Sequence, residues 1–257
     1  MSNRENGQRI VVITGGARGI GMGIAKAFSD NGDRVMIFDL DKQAGDATAN
    51  KLGNGACAYK VDITCEESVV AALDSVTQQY GSLDVLVNNA GIQFISPVET
   101  FPYDQWQKLL GVMLSGPFLM TKHVVEGMKQ QSWGRIINIS SVHGMTASPY
   151  KSAYISAKHG VIGLTRAVAC ETASQGVTVN AILPGAVDTE LLRSQLGRLA
   201  GEEGISPEQA LKKHILSKQP IDRLIDVSEV AELARYLASD AAGGVTGEAI
   251  RVAGGWR

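Results

Sequence analysis

The chain has 257 residues, with 24 basic against 26 acidic side chains and a formal net charge of −2. So even a balance offers no broad phosphate-seeking face and argues against nucleic acid as a partner. Three cysteines, Cys57, Cys65 and Cys170, form no CxxC pair, which argues against a disulfide scaffold or zinc ribbon and for a reducing compartment.

Met1 to Arg9 is polar and has no apolar core of the signal-peptide kind, and no run reaches the roughly 18 apolar residues of a membrane span. A soluble, cytoplasmic protein is therefore expected. Short Val- and Ile-rich runs alternate with longer helical patterns, which predicts β-α-β units and a parallel sheet. The predicted strands are Arg9–Thr14, Arg34–Leu40, Ala56–Val61, Leu83–Asn88, Arg135–Ile139, Val177–Ile182 and Ala249–Val252. Several are apolar without alternation, as strands covered on both faces must be. The sequon Asn138-Ile139-Ser140 falls in such a run and reads as buried strand. The predicted helices are Gly19–Asn31, Lys42–Leu52, Glu66–Tyr80, Asp104–Gln130, Ala153–Ser174 and Val227–Ala238. Right-handed crossovers then give an α/β, doubly wound Rossmann fold with a seven-stranded parallel sheet. No repeat or linker interrupts residues 1–257, so one domain is expected. The stretch from about 188 to 219 breaks the rhythm, with Leu191, Leu192, Gln195, Leu196 and Leu199 at helical spacing and a second helix start at Ser206-Pro207-Glu208-Gln209. An insertion above the carboxyl ends of the strands is placed to act as a helical substrate lid.

The first strand runs into Thr14-Gly15-Gly16-Ala17-Arg18-Gly19-Ile20-Gly21, which opens a helix. Glycines let the chain turn sharply and approach a pyrophosphate, while the helix start offers free N–H groups and positive dipole. The second strand ends in Asp39, an acid placed to bind an adenosine ribose and to repel a 2′-phosphate. Asp39 followed by Leu40 favours NAD over NADP, although Arg18 in the turn pulls the other way.

Three further segments carry chemistry. Asn88-Asn89-Ala90-Gly91 closes the fourth strand, Ser140-Ser141 follows the fifth, and Tyr154-Ile155-Ser156-Ala157-Lys158 lies 13 residues beyond Ser141. Tyr154 and Lys158, four apart, share one helix face. With Thr14-Gly15-x-x-x-Gly19-x-Gly21 and Pro184-Gly185, these motifs resemble the short-chain dehydrogenase/reductase family, in order and spacing, from Gln8 to Trp256. The resemblance implies NAD(P)-dependent oxidation of an alcohol or reduction of a ketone by a homotetramer. It gives Ser141, Tyr154 and Lys158 as catalytic residues. It also implies coenzyme contacts from Thr14, Gly15, Arg18, Gly19, Ile20, Gly21, Asp39, Asp62, Asn89, Ala90, Gly91, Tyr154, Lys158, Pro184, Gly185, Val187 and Thr189.

The chemistry explains the residue types. Removing a hydroxyl proton as hydride leaves needs a base, and a free phenol with a pKa near 10 is a poor one at neutral pH. An adjacent Lys158 ammonium is expected to favour the phenolate; a shift of about three units asks for roughly 4 kcal/mol. Ser141 is expected to hydrogen-bond the substrate oxygen. One family position departs: a helix Asn is Met113 here, in Val112-Met113-Leu114-Ser115-Gly116. In the resemblance that Asn supports a helix distortion whose carbonyl holds a relay water, so a slower or rerouted proton relay is expected.

Within the family, Gly91-Ile92-Gln93-Phe94, Ser141-Val142-His143-Gly144, Tyr150-Lys151-Ser152-Ala153-Tyr154, the Gln195 region, Lys218-Gln219-Pro220 and Gly254-Gly255-Trp256 are most similar to the D-3-hydroxybutyrate dehydrogenases. There the positions matching Gln93, His143, Lys151 and Gln195, with Ser141 and Tyr154, bind the substrate. The Trp expected after Pro-Gly is Ala186, and losing an indole is expected to open the pocket to a bulkier aryl or amino alcohol. A 3-hydroxybutyrate-type acid is the first expectation and the bulkier secondary alcohol or ketone the alternative. A dinucleotide-binding protein without catalysis is a remote third. His123, His159 and His214 have no metal spacing, so no metal site is expected; Met120 and Met128 read as helix-interface residues. The helices Asp104–Gln130 and Ala153–Ser174 carry apolar residues beyond one stripe, including Leu164, Val168 and Ala169, which fits subunit packing.

Overall fold

The absence of polar alternation in the first strand is explained by the computed structural model, which describes residues 7–256. The segment Met1 to Asn6 of the polar N-terminal stretch, and Arg257, lie outside the described residues. In β1 (Ile10–Thr14) every side chain is buried. Val11 and Ile13 enter one apolar layer with Ile24, Phe28, Val230 and Leu237, while Ile10 and Val12 enter the other with Val69, Val76, Met120 and Met128. Burying one such aliphatic side chain contributes about 1.5–3 kcal/mol, so a two-faced strand is costly to make polar on either side.

In chain order β1 is followed by α1 (Gly19–Asp30), β2 (Arg34–Asp39), α2 (Lys42–Leu52), β3 (Cys57–Lys60), α3 (Glu66–Tyr80) and β4 (Val85–Asn88). Then come α4 (Tyr103–Leu110), α5 (Gly116–Gln130), β5 (Gly134–Ile139), α6 (Ser152–Thr172), β6 (Val177–Pro184), α7 (Glu190–Glu203), α8 (Pro207–His214), α9 (Val227–Leu237) and β7 (Ala249–Val252). The seven parallel strands lie in the order β3-β2-β1-β4-β5-β6-β7. Strand order reverses between β1 and β4, and a crevice opens there at the carboxyl ends of the strands. The seven-stranded parallel Rossmann expectation is met. The sequon Asn138 is fully buried, accepting from Asn88 Nδ2 at 2.8 Å and donating to Thr165 Oγ1 at 2.9 Å.

Two features differ from the expected elements or extend them. The single helix expected over Asp104–Gln130 is divided into α4 and α5 by a π-helical turn at Gly111–Ser115. Pro117 has no N–H to give the Met113 carbonyl four residues back, and the Gly116 N–H instead reaches the Gly111 carbonyl. The expected insertion is two helices, α7 and α8, and a short turn at Leu216–Lys218. Helix α8 starts with the expected capping box, Ser206 Oγ accepting from Gln209 N–H and Gln209 Oε1 from Ser206 N–H.

Candidate active site

The glycine turn between β1 and α1 is held by a side chain from the neighbouring strand. Asn89 Nδ2 donates to the carbonyls of Thr14 and Gly15 at 3.0 Å each, and Thr14 Oγ1 accepts from the N–H groups of Asn89 and Ala90. The Asn89 side chain, expected at the coenzyme, is thus committed to the turn. Gly21 is packed into this latch: a Cβ there would stand 2.2 Å from the Gly15 carbonyl oxygen and 2.5 Å from Asn89 Nδ2. Gly15 and Gly19 have φ of +62° and +56°, the left-handed region that glycine enters without cost. Helix α1 has no capping side-chain bond and no acid in its first turn, which leaves its first N–H groups free for an anion. This donor set fits a dinucleotide pyrophosphate.

Asp39 ends β2 beside the turn, where its carboxylate accepts from Ala17 N–H at 3.2 Å and Asp41 N–H at 3.1 Å. Arg18 is exposed and ion-paired with Asp41 at 2.5 Å. Asp62 accepts from the N–H and hydroxyl of Thr64. Ile20 packs on the apolar layer of α1 and α9. Across the crevice, Gly185 N–H donates to the Val252 carbonyl and Val187 bridges Ile225. Thr189 caps α7, its methyl 3.8 Å from where a Gly19 Cβ would sit. The two loops therefore face one another.

Past the end of β5, Ser141 stands near Tyr154 and Lys158, which lie in the first turns of α6. Lys158 is buried and donates to the Ile139 carbonyl at 2.8 Å, 5.7 Å from the Tyr154 ring centre. Burial pushes its ammonium down to about 8. Burial also pushes the Tyr154 phenol up, and a hydrogen bond with Ser141 pulls it partly back. The expected lowering of Tyr154 by Lys158 is thus not seen in the chain alone: both groups are desolvated, which favours their neutral forms, and Lys158 spends a donor on Ile139.

The expected carboxylate binders form two groups. Gln195 on α7 donates to Gln93 Oε1 at 2.7 Å, closing one wall. Beyond it a cavity of about 380 Å³ is lined by Phe94, Ile95, Leu191, Ser194 and Arg198. His143 stands between the Tyr154 and Trp256 rings, at 6.1 and 5.9 Å. Burial first, then Lys151 and Lys218, push its imidazole down to about 4, so it is neutral at physiological pH. Burial, and then Lys218, also lower the Lys151 ammonium. Behind His143 a cavity of about 340 Å³ is lined by Thr146, Ala147, Ser148, Lys218, Pro220, Gly255 and Trp256.

Ala186 is buried in an apolar cluster with Val142, Ala253 and Trp256, against which Leu192 and Ile215 pack. Gln219, fully buried, accepts from Ala186 N–H at 2.9 Å and fixes that loop. Met113 keeps its π turn without an amide; its side chain is buried with Leu109, Ala153 and Ala157. Sequence reasoning missed Lys218, Trp256 and Ser148 as parts of the site. Their distance in sequence from Lys151 and His143 left no spacing signal, and only similarity at Lys218-Gln219-Pro220 and Gly254-Gly255-Trp256 drew notice to two of them.

Among the described residues no helix is long and apolar enough to cross a membrane. A family model described as enoyl-(acyl carrier protein) reductase matches residues 15–257. An uncharacterized oxidoreductase of Bacillus subtilis (strain 168) is 46% identical over 252 residues, covering 97% of this chain and 98% of its own. D-beta-hydroxybutyrate dehydrogenases of Rhizobium meliloti (strain 1021) and Cupriavidus necator are 40% and 39% identical, each covering 96% of this chain, and 98% and 97% of their own. Acetoacetyl-CoA reductase of Shinella zoogloeoides is 38% identical over 96% of this chain and 98% of its own. The glycine turn, the Ser-Tyr-Lys constellation and these matches agree: the chain belongs to the short-chain dehydrogenase/reductase family, enzymes that interconvert secondary alcohols and ketones with a nicotinamide dinucleotide.

Proposed function

We propose that this enzyme oxidises a 3-hydroxybutyrate-type hydroxy acid with NAD, Tyr154 acting as the base. When bound, the coenzyme accepts the hydride from the alcohol carbon. Tyr154 takes the hydroxyl proton, Ser141 donates to the substrate oxygen, and Lys158 holds the nicotinamide ribose and favours the phenolate in the assembled site. Asp39 at the turn, with Arg18 engaged by Asp41, supports NAD over NADP; replacing Asp39 by Ala is expected to raise relative NADP use.

The observation that carries the substrate reading is charge. Lys151 and Lys218 act on His143 beside Tyr154 and form no ion pair among the described residues. Two such cations near a neutral imidazole donor suit a small carboxylate. Gln93 and Gln195, joined to each other, supply the amide wall. The curated relatives named as hydroxybutyrate dehydrogenases support the same class. A second reading, a bulkier secondary alcohol, is favoured by the 380 Å³ cavity with apolar Phe94, Ile95 and Leu191 beyond that wall.

Initial rates with racemic 3-hydroxybutyrate and with 1-phenylethanol, each with NAD, decide between them. A higher kcat/KM for the acid is expected; the reverse would overturn the substrate assignment while leaving the chemistry. Tyr154→Phe is expected to lower kcat at least a thousandfold with coenzyme affinity unchanged. We further propose a homotetramer packed through α5 and α6, which leave Phe118 exposed and Leu164 and Val168 half-buried in the single chain; a monomeric mass in solution would contradict it.

A further inference from the structure

A base that takes a proton in each turnover must also lose it. Lys158 ends on the Ile139 carbonyl, which accepts but has no proton to pass on. Met113, at the helix position nearby, brings a thioether with no exchangeable hydrogen, so that its turn offers only a main-chain carbonyl on that side. On the opposite side of Tyr154 the groups are of another kind. Ser141 stands beside the Tyr154 phenol and partly offsets the effect of its burial, and the His143 ring lies 6.1 Å from the Tyr154 ring. Ser141 Oγ accepts from the His143 N–H at 3.1 Å and lies 3.4 Å from His143 Nδ1. His143 Nε2 lies 2.5 Å from Ser148 Oγ, and Ser148 lines the 340 Å³ cavity with Lys218 and Trp256. Access to water rises along the same path. Ser141 is buried, His143 and Ser148 are half-buried, and Ala147 and Pro149 beside Ser148 are exposed.

We propose that Ser141, His143 and Ser148 form a proton wire that returns Tyr154 to its ionised form after each oxidation, discharging into water in the Lys218–Trp256 cavity. The proposal rests on Tyr154 being the base. Once the ketone has left, the Tyr154 O–H bond breaks and its proton passes to Ser141 Oγ, whose own proton moves to His143 Nδ1. The proton on Nε2 moves to Ser148 Oγ, and the Ser148 hydroxyl proton goes to water. Each bridging group ends with as many protons as it began, Tyr154 is left as phenolate, one hydronium forms, and no electrons are exchanged. The imidazole is left as its other tautomer and is restored when the ring turns and exchanges with cavity water. A neutral imidazole both donates and accepts, and burial with the two nearby lysines keeps His143 in that form. Ser148, which touches none of the expected substrate groups except through His143, becomes a residue of the proton path.

The test is stopped-flow mixing of the full chain and NAD with the faster of 3-hydroxybutyrate and 1-phenylethanol, following reduced nicotinamide and, with an indicator dye in weak buffer, proton release. In the parent enzyme the two traces are expected to run together. In Ser148→Ala the first hydride transfer should persist while proton release lags at least tenfold. For Ser148→Ala kcat should fall with KM unchanged, and Ser148→Thr should restore both traces. Proton release in step with coenzyme reduction in Ser148→Ala would overturn the wire alone. Turnover by Tyr154→Phe would overturn the base assignment, and the wire with it.

Discussion

The two sides of the crevice are built by different means. On the coenzyme side, the turn after β1 is held by hydrogen bonds that end on main chain: Asn89 to the carbonyls of Thr14 and Gly15, and the N–H groups of Asn89 and Ala90 to Thr14 Oγ1. On the substrate side the residues expected to meet the carboxylate are instead joined side chain to side chain, Gln195 to Gln93 and His143 to Ser148. Main-chain geometry tolerates little change in shape, whereas the substrate side can exchange its side chains without disturbing a strand. The first arrangement suits a coenzyme that every member of such a family must hold, the second a substrate that differs among them.

The sharpest way to break this contrast is to place one methyl in the turn. Gly21→Ala puts a Cβ 2.2 Å from a backbone oxygen that cannot move without opening the Asn89 latch. A loss of at least a hundredfold in NADH affinity is expected by fluorescence titration. Gly127→Ala on α5, where a Cβ meets nothing within 4 Å, is the control and is expected to leave affinity unchanged, with a slight gain in stability. Equal effects from the two would show that the turn is not held as tightly as its contacts imply.

On the substrate side the expected effects are smaller and depend on charge. Lys151→Ala is expected to lower kcat/KM for 3-hydroxybutyrate by about ten- to a hundredfold, the range of one charge-assisted contact of about 1.5–3 kcal/mol. Lys218→Ala, at a more exposed position, should lower it less than tenfold. Rates with 1-phenylethanol should hardly change in either variant. A parallel loss for the acid and the neutral alcohol would show that the lysines support the loop and not the carboxylate.

The same contrast decides what could be read from the chain. The coenzyme turn was legible because Thr14 to Gly21 is contiguous and each glycine has a local reason, a positive φ or a close neighbour. Tyr154 and Lys158 were legible because a four-residue step on a helix fixes their common face. The π turn was implied at Met113 only by the resemblance, since periodicity ran one helix through it, although Pro117 marked the place where a helical hydrogen bond had to fail. Gln93 and Gln195, and Lys151 and Lys218, meet only through the fold, so spacing is silent about them and similarity to relatives was the sole guide. Spacing is equally silent about the surroundings of Ala186, which the fold packs in one cluster with Trp256, far along the chain.

Lys158 allows the most specific test, since it joins catalysis to stability. Its ammonium is buried and pushed from an ordinary value of 10.5 down to about 8. Between those two pH values the unfolded chain holds a proton that the folded chain has released. Folding stability therefore rises with pH across that window, and the cost of the buried charge is borne in full below pH 8. Lys158→Met, which removes the titrating group, should be inactive and should not share this rise. Relative to the variant, the parent enzyme is expected to gain about 3 kcal/mol between pH 8 and 10.5 in urea unfolding. Other lysines and tyrosines titrate in both proteins and cancel in the difference. Parallel curves would mean that water or a rearranged Ile139 carbonyl already relieves the burial. A converging pair would show that the fold carries a destabilising charge at neutral pH, and the reason for keeping it must then lie in the chemistry at Tyr154.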